Sequence, residues 1–178
     1  MKKTIIIVLS ILLLGLFIFY LIKSNKEKYF ESIELSDSNS IVNFSKHQYV
    51  DTVVSIGLDV LNIKDNYVTI RDVPEQIVES FKKQNDMDLG ASIIGANDQY
   101  IIYINEMSRT TSTKIISHEL IHLEQYDSGR LRVIGSGVVM WEGKEMVVLD
   151  IPYNERPWEK EAFRRQDDLE KKLLEKLY

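Results

Sequence analysis

Two of the three histidines in this chain stand four residues apart, as His118-Glu119-Leu120-Ile121-His122, and that spacing limits the possible folds more than any other feature. On an α-helix residues four apart share a face one turn apart, so both imidazoles can grip one ion if this stretch is helical. The flanks agree. Ile115, Ile116, Leu120, Ile121 and Leu123 supply apolar packing, Thr110–Thr113 offer hydroxyl N-caps, and Gly129 marks a stop, which predicts a helix from about Thr113 to Asp127. Glu119, one residue on from the first histidine, is placed to take a proton from a water that the ion acidifies. The plainer alternative is a pair of histidines on a helix surface or satisfied in a core.

A catalytic zinc ion wants three protein ligands and one open position, so a third donor is needed. A third histidine six residues after His122 is not present: that position is Ser128, and Gln125 stands where a glycine would be expected. His47 lies far upstream in a polar stretch and reads more simply as a surface residue. The chain has no cysteine, which excludes cysteine-ligated zinc, iron–sulfur clusters, disulfides and a thiol nucleophile. Carboxylates remain, and the closing segment offers Glu159 and Glu161. Trp158, Ala162, Phe163, Leu169, Leu173 and Leu177 define an inner stripe on a helix from about Pro157 to Leu177. Glu159 points with Ala162 and Phe163, whereas Glu161 aligns with Arg164, Arg165 and Asp168 on a charged, solvated face. Glu159 is the expected third ligand and Glu161 the alternative.

The start of the chain is of another kind. Met1, Lys2 and Lys3 precede an apolar run from Thr4 to Ile22 of roughly 19 residues, enough for a helix to cross a hydrocarbon core of about 30 Å. Tyr20 suits the interface, and Lys23, Lys26 and Lys28 mark the return to water. A cleaved signal segment is the competing reading, but no A-x-A-like pair follows the run. Residues 1–22 are therefore expected to be a single-pass membrane anchor, with the following domain extracytoplasmic. Residues 23–40, polar and serine-rich, read as a linker, and residues 41–178 as one domain. The net charge of −5 and the lack of a basic stripe speak against a nucleic-acid partner.

Within the domain, apolar spacing predicts a helix over Gln48–Ile63, weakened by Gly57, and alternation predicts a strand over Asn66–Arg71. Pro74 opens a short helix with Ile77, Val78 and Phe81 on its buried side. Ala91–Ile94 and Tyr100–Ile104 form a hairpin, and Leu131–Ile134, Val138–Trp141 and Met146–Leu149 three further strands. The fold class is α+β.

HELIH followed some tens of residues later by RPWEKEAF resembles the gluzincin-type zinc metallopeptidases, in particular the small minimal-gluzincin-like and ImmA/IrrE-like domains. The resemblance covers roughly Ser92 to Gln166 and rests on two short motifs. In that group the third ligand is a glutamate heading an E-x-x-A helix, which maps onto Glu159 and Ala162. The next position is polar in many relatives and Phe163 here, so a group orienting a ligand histidine must come from elsewhere or be missing. The resemblance implies a zincin-like small mixed sheet packed on the active-site helix, one zinc ion, and a peptide or protein substrate. Tyr100–Ile104 is then either a strand over the cleft with a free edge for substrate or a plain internal strand, and Tyr153 or Arg156 either an oxyanion stabiliser or an ordinary loop residue. A non-catalytic zinc-stabilised domain binding a protein at the membrane, and a protease dedicated to cleaving one regulator, are the rival readings.

Overall fold

The computed structural model describes residues 39–178 apart from 86–88, 97 and 106–108. The proposed anchor and almost all of the linker lie outside the described residues. Among the described residues, no helix is long and apolar enough to cross a membrane.

The described residues form one compact unit of mixed α and β structure. Its order is β1 (Ser40–Asn43), α1 (Val50–Leu61), β2 (Tyr67–Asp72), α2 (Glu75–Asn85), β3 (Ala91–Ala96), β4 (Gln99–Ile104), α3 (Arg109–Asp127), β5 (Leu131–Gly135), β6 (Val138–Trp141), β7 (Lys144–Val147) and α4 (Pro157–Leu177), with short 3₁₀ turns at Val148–Asp150 and Tyr153–Glu155. The first four strands make a mixed sheet in the order β1-β2-β4-β3; β1 and β4 run parallel to β2, and β3 is antiparallel to β4. β4 is thus internal, and the edge strands are β1 and β3, with β3 beside β4. Of the two readings of Tyr100–Ile104, the structure shows the plain internal strand: a hairpin reveals which strands pair, not which one takes a further neighbour.

One face of this sheet carries Val68, Ile70, Ile93, Tyr100, Ile102 and Ile104 into a core shared with α1, α3 and α4. Within α3, residues 116–123 are all buried, so this is a central helix enclosed on several sides rather than one lying on the surface. Gly57 has a packing reason. A Cβ there would stand 2.2 Å from Leu120 Cδ1, on the fully buried side chain between the two histidines. Gly57 therefore lets α1 reach the motif helix, and Gly57→Val should cost about 1–3 kcal/mol in a denaturant titration through overpacking. An unchanged or higher stability would show that the contact gives way freely.

β5, β6 and β7 form a separate antiparallel sheet. Its Leu131, Val139 and Trp141 pack on Trp158 at the start of α4. Glu142 (φ 49°) and Gly143 (φ 80°) both adopt the left-handed conformation that a two-residue hairpin turn requires. That turn pairs Lys144 with Trp141, so β7 begins earlier than expected and Val148–Leu149 fall in a 3₁₀ turn. Two other expectations need correcting. Ser40, assigned to the linker, begins β1. Ile77, expected on the buried side of its helix, is 47% exposed, because α2 packs only lightly on the rest of the unit.

Candidate metal centre

Helix α3 brings His118 and His122 to one face, and α4 brings Glu159 against them from its first turn. Pro157 occupies the first helical position, where its missing N–H costs nothing, and fully buried Ala162 permits a close approach of the two helices. Glu159 Oε2 lies 3.2 Å from His118 Nε2 and 3.3 Å from His122 Nε2, and the two nitrogens are 3.1 Å apart. All three side chains are buried.

The hydrogen-bond partners on the far sides of the rings define the chemistry. His122 Nδ1 is 2.8 Å from Gln125 Oε1, whose Nε2 donates to the Trp158 carbonyl at 3.1 Å. Because the amide nitrogen is committed to that carbonyl, the amide oxygen faces the ring, and His122 must donate from Nδ1. His118 Nδ1 likewise lies 3.1 Å from Gln166 Oε1. A neutral ring that donates its one proton to its amide turns a bare Nε2 lone pair toward the other ring and toward a carboxylate oxygen. Three acceptors share this space only with a cation among them, a proton in the metal-free protein or a metal ion. Their separations also suit zinc, because tetrahedral ligands at about 2.0 Å from a common centre stand about 3.3 Å apart. Among the described residues this is the one His/Asp/Glu cluster of three able to hold a metal ion.

Gln125 and Gln166 are the residues that sequence reading missed. Gln125 stood out only as a departure from a longer histidine pattern, yet it is fully buried three residues from His122 on the same helix. Gln166 answers the question raised by Phe163: the orienting group comes from one turn further along α4, while the Phe163 ring packs 4.6 Å from the His118 ring. Two helical turns separate Gln166 from Glu159, and that phase was the available signal. Gln166→Leu and Gln125→Leu should each weaken zinc binding about 10- to 100-fold in a competition titration. Affinity equal to the parent protein would mean that the amides do not orient the rings.

Glu161 is not part of this group. Arg130 grips it through two bonds of 2.7 and 2.8 Å, and Arg165 adds a third at 2.7 Å. With Glu124 on α3, these groups tie α4 to α3 and to the start of β5. Its side chain is only 14% exposed, so its face of α4 is not simply solvated. His47 packs against Tyr49 and bonds locally within the loop before α1.

Glu119 is buried beside the cluster and accepts a hydrogen bond from the main-chain amide of Ile93 on β3. Burial pushes its carboxyl pKa up, against the pull of His122 and His118. Burial would lower the His122 pKa, but the hydrogen bond and charge of Glu159 outweigh it and raise it to about 9. Glu159 is in turn held down at about 2: burial is overcome by its bonds to both histidines. In metal-free protein the His122 contribution to stability is complete below about pH 6.5 and lost as pH rises through about 9, while that of Glu159 is complete above about pH 4.5 and lost as pH falls through about 2. Added zinc should therefore raise the thermal midpoint more at pH 8.5 than at pH 6, where a proton competes for His122. Equal shifts at the two pH values would contradict this linkage.

The cleft in front of Glu119 has two arms that meet at Glu119 and Tyr153. The larger, about 280 Å3, is mostly apolar, with Phe81, Leu89, Ile115 and Phe163 in its wall and His118 at its inner end. The smaller, about 190 Å3, is polar, with Tyr126, Arg156, Glu159 and His122. Tyr153 stands between Phe81 and Phe163, with ring centroids 5.7 and 6.4 Å away. Burial pushes its phenol well above the ordinary range, and the phenol hydrogen-bonds Glu159. Arg156 lies over the Tyr153 ring at 5.2 Å and donates to the carbonyls of Ile151 and Val148.

No family model, curated protein or solved structure matches the chain.

Proposed function

We propose that this is a zinc-dependent metallopeptidase domain of the gluzincin type, held at a membrane by the apolar segment Thr4–Ile22. The convergence of three lone-pair donors beside a buried carboxylate, at the floor of an open cleft, carries the reading. Three protein donors opening on a cleft form the pattern of a catalytic zinc site, whereas a structural site is closed by four.

His118, His122 and Glu159 would hold the ion, with Gln166 and Gln125 keeping both Nε2 atoms free of protons. Zinc bound there supplies Lewis acidity, toward water and toward a substrate carbonyl oxygen. Glu119 takes the proton from the attacking water and returns it to the leaving amine; a carboxyl whose pKa is raised by burial suits both halves of that transfer. Tyr153, kept neutral by its surroundings, is a donor for negative charge developing on the carbonyl oxygen. Ala91, Ser92 and Ile93 of the edge strand β3 line the polar arm, and the outer side of that strand suits pairing with an extended peptide.

The test is hydrolysis of a mixed peptide pool by purified full-length protein in detergent. Cleavage should require stoichiometric zinc, stop with a chelator and return on adding zinc back. A protein that binds one zinc ion tightly yet cleaves neither peptides nor denatured casein would favour a non-catalytic binding domain or a protease dedicated to one protein.

A further inference from the structure

Arg130 and Arg165 are both paired with carboxylates, sharing Glu124 and Glu161. Arg156 differs. Among the described residues no carboxylate lies within ion-pairing distance of it, although it is only partly exposed and lines the polar arm of the cleft together with Glu159 and Glu119. Its guanidinium is nonetheless held in place. Nε donates to the Ile151 carbonyl and Nη2 to the Val148 carbonyl, both at 3.3 Å, and the Tyr153 ring supports its face. Those two bonds use two of five N–H donors and leave Nη1 unspent. Withdrawing a cation partly from water without a counter-charge is unfavourable, and a preoriented guanidinium fork matches a planar carboxylate.

We propose that Arg156 is a recognition residue for a substrate carboxylate, so that the domain prefers peptides carrying an acidic side chain or a free chain terminus in the polar arm. This rests on the peptidase reading and names the substrate class for the same site. It differs from an oxyanion role for Arg156, which would serve every peptide equally.

The test uses zinc-loaded full-length protein and four matched peptides: one with Glu and one with Gln at a varied position, each with a free or an amidated C-terminus. kcat/KM is measured for the parent, Arg156→Gln and Arg156→Lys. Binding of the same peptides is measured with Glu119→Gln, alone and combined with Arg156→Gln. The parent should favour a carboxylate-bearing peptide about tenfold or more. Arg156→Gln should erase that preference, lowering the rate on carboxylate-bearing peptides about tenfold or more beyond any loss on neutral ones, and Arg156→Lys should retain part of it. The Glu/Gln pair and the free/amidated pair separate the two sources of the carboxylate. Equal treatment of acidic and neutral peptides by the parent, or an equal loss on all four with Arg156→Gln, would overturn the proposal. Selective binding with no turnover by the parent would instead sink the peptidase reading and leave the carboxylate site standing. If Arg156→Gln does not fold, the Arg156→Lys data and the parent's own preference decide the matter.

Discussion

Glu119→Gln is expected to lower turnover by about 10³-fold while leaving one zinc ion per chain in place. The substitution keeps the size of a buried side chain, so the packing of α3 beneath β3 survives. It removes only the ability to accept and return a proton, and positioned acid–base groups contribute about 10²- to 10⁴-fold. Glu119 lies outside the group of three side chains whose donor atoms converge, so metal content should not change. Steady-state kinetics and metal analysis on the same preparation check both halves. A variant that keeps the parent rate would remove Glu119 from the chemistry, and one that loses the metal would make it part of the ligand set.

Glu159→Ala and Glu161→Ala should behave very differently despite lying two residues apart. Removing Glu159 takes away the carboxylate 3.2 and 3.3 Å from the two histidines. The expected loss in zinc affinity exceeds the 10- to 100-fold typical of removing a group that merely orients a ligand, and activity should vanish with it. Removing Glu161 breaks the bidentate contact with Arg130 but touches no donor atom of the cluster. Stability should fall on the order of 1 kcal/mol, as for other partly exposed ion pairs, with zinc bound as in the parent. Equilibrium competition against a chromogenic chelator reads the first effect and thermal denaturation the second. Zinc binding that survives Glu159→Ala and fails with Glu161→Ala would reverse the assignment.

What could be read from residues alone followed the range of the interactions involved. His118 and His122 declare themselves because their relation is local to one helical turn. The turn toward the histidines of Glu159, rather than Glu161, was legible from the apolar phase of Trp158, Ala162, Leu169 and Leu173. The hairpin β3–β4 was legible from two short apolar runs, but the place of β4 inside the sheet was not, because its parallel pairing with β2 spans an intervening helix and strand. Strand β1 has only four residues and no alternation to betray it. Gln125 and Gln166 carry no signature as residue types; only their distances along two helices from His122 and Glu159 give them meaning. Gly57 read as a weak point in a helix, and its purpose shows only against Leu120 from another element.

An anomalous-scattering map at the zinc edge, from crystals of protein purified with zinc and no chelator, tests the central claim most directly. One strong peak is predicted, within about 2.0–2.2 Å of Nε2 of His118, Nε2 of His122 and a carboxylate oxygen of Glu159. No peak at that point, or a zinc ion bound to other side chains while these three remain hydrogen-bonded to one another, would contradict it.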